Sequence, residues 1–381
     1  MNKSNLPLEY QQLIHLLRCA VGADVPKEDA FDWDTLLPLA KRHRVEALLY
    51  HVVKNMDNVP AETKASLRNE WRRMLARDAR QEHTSHIIEK ALTAEHIPYA
   101  PLKGLLLKED YPSRELRHMS DLDYYIRPTD RDRIHTAMEK LGGTVASTDS
   151  GDINYGLPGR IYVEFHGMLL YRRGNGGVQS YSDWDRVVSG ENRLTEEGYA
   201  LNLIGHVIYN LASAGCGVRY ILDLWIYRNR HACQPDWNAV MEQLKKDGLD
   251  EVAQNLLDLS EYWFGNAAGS TLLDELSAYV LEGGLCGLRL RKTLSAAGFQ
   301  GGKLGAVKAQ VFRSREEFEN RYPWLKKHPY LLPVAWVMRG AKSLRIHREA
   351  MGQWTEQLKK NDRKQVAEQK ARLRRFGFKE L

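Results

Sequence analysis

The stretch that most constrains this chain runs from Ile97 to Arg127, IPYAPLKGLLLKEDYPSRELRHMSDLDYYIR. Its pattern predicts a strand over Ile97–Leu102, a tight turn at Lys103-Gly104, a short helix, a loop, and a second strand over Leu122–Ile126. Side chains alternate along a strand, so Asp121 and Asp123 share one face while Leu122 and Tyr124 point to the core. Two neighbouring carboxylates repel each other, and a hard divalent cation such as Mg²⁺ resolves that repulsion because it takes carboxylate and phosphate oxygens. A glycine at a strand-to-helix turn lets a phosphate approach the backbone, and the following helix offers free N–H groups. Nucleotide plus metal is the first reading.

The rest of the chain divides around that block. Residues 1–96 read as a helical region, with LLPLAKRHRVEALLYHVV at helical spacing behind an Asp32 or Asp34 cap and a long, mostly charged helix from about Pro60 to Glu95. Residues 97–194 form a mixed αβ block. Its further elements are a helix over Thr129–Leu141 capped at Thr129, short strands at Thr144–Ser147 and Ile153–Leu157, and a stronger one at Arg160–Leu169, closed by a Gly-rich loop, RRGNGG. Residues 195–357 return to helices, at Thr195–Ser213, Val218–Arg230, Asp236–Lys246, Leu249–Phe264 and Leu272–Leu281. The fold class expected is α+β, a small mixed core flanked by N-terminal and C-terminal helical regions.

Composition excludes several classes. A hydrophobic content of 43% with 27% charged residues is that of a soluble globular protein, and no window approaches a membrane span. Cys19, Cys216, Cys233 and Cys286 include no CxxC pair, which argues against a zinc ribbon or a disulfide framework and fits a reducing, cytoplasmic setting. The net charge of +6 resides in residues 358–381, where nine Lys/Arg face three acids. This basic helical tail reads as solvated, or as a grip on RNA.

Glu164, in VEFHG, can supply a third acid. It shares a strand face with His166, while Val163 and Phe165 face the core. Three acids from two neighbouring strands make a two-metal phosphoryl- or nucleotidyl-transfer site geometrically reasonable. Lys103 closes a buried strand and needs a partner; Arg117 lies in the loop before Asp121. Arg219 and Asp223 are four apart on one helix, so an ion pair between them is the default. The aromatic run Tyr322, Trp324, Tyr330 and Trp336 reads as packing, with base stacking beside Lys326, Lys327 and Arg339 as the alternative.

The order of strand, Lys-Gly turn, helix, Asp-x-Asp strand and later acidic strand resembles the DNA polymerase beta-type nucleotidyltransferase superfamily. More narrowly, the chain resembles the prokaryotic family of uncharacterised nucleotidyltransferases, through LAKRHRVEALLY (39–50), PLKG (101–104), RHMSDLDYYI (117–126), VEFHGML (163–169), GVRYILDLWI (217–226) and RYPWLKKHPYLLPVAWVMR (321–339). The resemblance implies an enzyme that moves an NMP from an NTP, ATP for example, to an unidentified acceptor with release of pyrophosphate. Asp121, Asp123 and Glu164 would be the catalytic, Mg²⁺-binding acids. Lys103, Gly104 and Arg117 would bind the nucleotide, and His166, His206, Arg219 and Asp223 would line the second shell or the acceptor side. One departure stands out: the superfamily usually has Gly-Ser or Gly-Gly at the phosphate turn, where this chain has Gly104-Leu105. Alternatives are a tRNA or other RNA acceptor, a non-catalytic nucleotide-binding scaffold, and a kinase-type phosphotransferase, for which no HxD-xxxx-N loop is present.

Overall fold

The structure is a computed structural model that describes residues 6–26, 31–148, 152–167, 169–174, 177–181, 184–190, 192–213, 215–231, 234–284, 322–338 and 363–379. Cys233, Cys286, Arg339 and both ends of the basic tail (358–362 and 380–381) lie outside the described residues.

Three helices open the described chain: α1 (Leu8–Ala20), α2 (Trp33–His43) and α3 (Glu46–Val53). Asp32 caps α2, accepting from the N–H groups of Asp34 and Thr35, which satisfies donors that a helix start leaves open. The long helix α4 (Ala61–Ala94) follows, 34 residues or roughly 50 Å at 1.5 Å per residue. Its buried stripe changes character along its length. Leu67 and Met74 join the helical core, Ile88 and Leu92 join the core beneath the sheet, and between them the buried residues are Asp78, Gln81 and Ser85.

The sheet is built from β1 (Tyr99–Pro101), β2 (Leu122–Ile126), β3 (Thr144–Thr148), β4 (Asp152–Leu157) and β5 (Ile161–His166), in the order β1-β2-β5-β4-β3. Only the central β2–β5 pair is parallel. Pro101 has no N–H to give a ladder, which suits β1 to the edge. One sheet face is apolar: Leu122, Tyr124, Val163, Phe165, Ile153 and Tyr155 pack under α4 and α6 (Arg131–Lys140). The registers Asp123↔Glu164, Asn154↔Glu164 and Asp152↔His166 place a row of polar residues on the other face. The helix expected from Thr129 begins instead at Arg131, after a 3₁₀ turn over Pro128–Asp130.

The Gly-rich RRGNGG segment is not a plain loop. Its flanks pair as a hairpin, β6 (Leu170–Gly174) with β7 (Gly177–Tyr181), in which Gly174 faces Gly177. Between this hairpin and the second helical region lie a short helix, α7 (Trp184–Val187), and a small pair, β8 (Val188–Ser189) and β9 (Arg193–Leu194). The second helical region contains α8 (Glu196–Ser213), α9 (Val218–Arg230), α10 (Trp237–Lys246), α11 (Asp250–Phe264) and α12 (Thr271–Gly283). These share one apolar core with α1, α2 and α3. Tyr322, Trp324 and Trp336 pack around buried Leu325 and Ala335, as the packing reading expects, while Tyr330 is exposed.

The basic tail differs from expectation. Helix α13 (Arg363–Arg375) and the residues after it bury Leu373, Phe376 and Phe378 in the helical core. Gln369 donates to the Tyr279 hydroxyl at 2.7 Å, Arg375 pairs with Glu275, and Lys379 pairs with Asp250 at 2.6 Å. A few well-placed apolar residues suffice to dock a charged helix, because its arginines and lysines keep their charges at the rim. Among the described residues no helix is long and apolar enough to cross a membrane.

Candidate active site

The site starts from a backbone reversal. Lys103 adopts φ +47 and ψ −112, a left-handed conformation uncommon outside glycine, and caps the four-residue helix α5 (Gly104–Leu107). Such a residue costs on the order of 1–3 kcal/mol unless its surroundings fix it. Here the Leu102 N–H donates to the Asp123 carbonyl at 2.9 Å, extending the β1–β2 ladder past Pro101. The Lys103 ammonium donates to Asp123 Oδ1 at 2.6 Å and lies 3.3 Å from His166 Nε2. Gly104 leaves room for its neighbours: a Cβ there would sit 2.4 Å from Met119 Sδ and 2.7 Å from Arg117 Nη1, so both side chains would have to move. The space beside this glycine is thus filled by the chain's own side chains.

Asp123, Glu164 and His166 come together on the polar face of the sheet, each offering a ligand atom within 4.8 Å of the others. His166 Nε2 is 2.7 Å from Asp123 Oδ1 and 3.6 Å from Glu164 Oε2; its Nδ1 is 3.4 Å from Asp152 Oδ2. Asp121, just before β2, is not among those three, though its charge reaches both Asp123 and Glu164. Electrostatics separates the acids. Burial opposes ionisation of Asp123, but Lys103 and His166 outweigh it and hold this carboxyl below the usual range. Asp121 and Glu164 are pushed up, by burial first and then by their carboxylate neighbours. Burial and Lys103 disfavour the imidazolium of His166, yet its bonds to Asp123 and Asp152 raise it to about 9.

Arg117 is not an exposed loop residue. It is 5% exposed, and its fork closes on Asp223, Nε to Oδ1 at 2.9 Å and Nη2 to Oδ2 at 2.8 Å. Asp223 also accepts from the Tyr111 hydroxyl at 2.6 Å. The expected Arg219–Asp223 pair along α9 is therefore not made; Arg219 donates instead to the His118 carbonyl. A planar fork meeting a fully buried carboxylate outcompetes a local i,i+4 pairing. His206 lies on α8 with Asn210 Nδ2 at 3.2 Å and Tyr220 against its ring. Burial, and then Lys103, hold its pKa well below the ordinary value.

Sequence reasoning missed Asp152, Tyr111, His118 and Arg77. Asp152 was within reach: a hairpin through Pro158-Gly159 pairs β4 with β5 and sets Asp152 opposite His166. Tyr111, His118 and Arg77 carry no local signal, because their partners lie far away in the sequence.

The sheet carries its acids on one face and its helices on the other, an α+β core. The model of the family described as "Uncharacterised nucleotidyltransferase" matches residues 29–265, more than half of the chain. The chain belongs to that family. No curated protein matches. Among solved structures the chain is similar to the antibiotic-resistance factor ANT(2'')-Ia, at 11% identity over 44% of this chain and 97% of that one, with a TM-score of 0.32.

Proposed function

We propose that this protein is a divalent-metal-dependent nucleotidyltransferase that moves an NMP from an NTP to an acceptor hydroxyl or phosphate and releases pyrophosphate. The observation that carries the reading is the convergence of Asp123, Glu164 and His166 beside the Lys103-Gly104 turn. The donor set fits a cation. Lys103 and His166 offset Asp123 in full, whereas at Asp121 and Glu164 their charges are outweighed by burial and by the neighbouring carboxylates, so both carboxyls stay raised. Asp121, Asp123 and Glu164 would hold Mg²⁺, an oxygen-seeking ion. When bound, the ion supplies neutralisation of triphosphate charge and polarisation of the phosphoryl oxygens.

The protein's own groups do the rest. Lys103 places a fixed positive charge at the acids, where phosphate oxygens must come. The Gly104 turn is the nucleotide-binding turn, and Arg117, with Nε and Nη2 engaged, has Nη1 directed at it. Glu164, half-buried beside His166, would hold the metal and help take the acceptor proton. Positioning and charge neutralisation contribute most of the acceleration in such transfers.

Manganese can report on the site without a known acceptor. An EPR titration of the purified protein with Mn²⁺ and a non-hydrolysable NTP should show metal bound together with nucleotide. Asp123→Asn and Glu164→Gln should each weaken it at least about tenfold, the effect of losing one charged ligand. Mn²⁺ and nucleotide binding unchanged in both variants would end the reading.

A further inference from the structure

The loop leading into Asp121 passes a second concentration of charge, and there the sign is reversed. Arg77 on α4 donates from Nη1 to His118 Nε2 at 3.3 Å, and Arg219 on α9 donates from Nη1 to the His118 carbonyl. Arg44, left-handed at the end of α2 with φ +57, lies close enough for its charge to act on the same imidazole. Burial, followed by Arg219, Arg77 and Arg44, pushes His118 down to about 3, so the ring is a neutral acceptor among cations.

None of Arg44, Arg77 and Arg219 has a carboxylate within ion-pair distance among the described residues, though the charge of Arg44 also reaches Glu46; by comparison Arg117 has its charge matched by Asp223. A solvated arginine needs none, and Arg44 is exposed. Arg219 is different: it is only 8% exposed, and its Nε is buried with no hydrogen-bond partner. Arg219 lies over the Tyr220 ring at 5.2 Å, but a desolvated guanidinium with an idle donor, sharing His118 with Arg77 and within reach of Arg44, is costly unless an anion joins them. Guanidinium forks match phosphate and carboxylate oxygens alike, and phosphate, with the larger charge, is the better counterpart to several cations. The place suits that ligand as well: Tyr220, under Arg219, packs against His206, whose imidazole also feels Lys103 and Asp123 at the acid cluster.

We propose that Arg44, Arg77 and Arg219 form a phosphate-binding site around His118. The site's existence stands on the arginines alone; only the identity of the phosphate, the donor's triphosphate tail or one carried by the acceptor, rests on the nucleotidyl-transfer reading.

Calorimetry with inorganic pyrophosphate, in the absence of divalent metal, tests it on the full chain. The wild type should bind, and Arg77→Gln should bind at least about tenfold more weakly, with a further loss in the Arg44→Gln/Arg77→Gln double variant. Neither residue is in a core, and an unchanged unfolding midpoint confirms that the variants are folded. A non-hydrolysable NTP that competes with pyrophosphate and weakens in parallel assigns the site to the donor's tail. NTP binding that persists while pyrophosphate binding is lost assigns it to a phosphate on the acceptor. The proposal is overturned if the wild type does not bind pyrophosphate or if the double variant binds it equally well. Because no metal or turnover enters, this result can fail while the Mn²⁺ experiment succeeds, and the reverse.

Discussion

A single histidine shows how tightly individual residues are specified. His43, at the end of α2, is fully buried and accepts from the Val218 N–H at 3.2 Å, joining the first helical region to the start of α9. Burial, then the charge of Arg42, push it down to about 4 from an ordinary 6.5. The unfolded chain therefore takes up a proton near pH 6.5 while the folded chain does not until about pH 4. Stability is unaffected by this residue above pH 6.5 and falls between those values, by about 1.4 kcal/mol per pH unit at most. Urea unfolding from pH 7.5 to 4.5 should show the decline, and His43→Gln should flatten it; an equal slope in both proteins would refute the assignment. Residue-level reasoning from sequence reached the acids because strand alternation is a local rule. It put Asp123 and Glu164 on one face, and their strands do lie side by side. It gave Arg219 the wrong partner because Arg117 is 106 residues from Asp223, and no local period encodes that distance.

At the level of elements, the helices were legible and their docking was not. The cap at Asp32 and the Gly-free, Pro-free run of α4 fix the helical regions through local propensity and spacing. The hairpin β6–β7 was hidden because its glycines look like loop signals, although they face each other across the turn. The tail was legible as a helix, but its docking was hidden because charge dominates its composition, whereas its position depends on three buried apolar residues. Deleting residues 358–381 should consequently cost stability. Leu373, Phe376 and Phe378, at about 2 kcal/mol each, give a loss of roughly 6 kcal/mol and a fall in Tm on the order of 10 °C. Differential scanning calorimetry decides it; a truncated protein with the parent Tm would return this helix to the role of a solvated tail.

Across the whole molecule, Asp223 links the helical region to the loop that enters β2. Its carboxylate holds Arg117 and Tyr111 and is itself fully buried. Asp223→Asn should destabilise the fold by about 3 kcal/mol, since Arg117 is left buried without its counterion. Adding Arg117→Met should recover part of that loss, because the unpaired charge is then gone. Denaturant midpoints of the two single variants and the double variant measure the coupling, and independent, additive effects would show that the pair does no linking. A different constraint runs the length of α4. Its upper turns fit one core through Leu67 and Met74, and its lower turns fit the other through Ile88 and Leu92. One residue inserted between Met74 and Ile88 would rotate one end by about 100° against the other, and one of the two cores would lose its side chains to solvent. The distance between the helical layer and the sheet is thus recorded as a residue count, and α4 behaves as a ruler with a phase: length can vary in the loops around it, but not here.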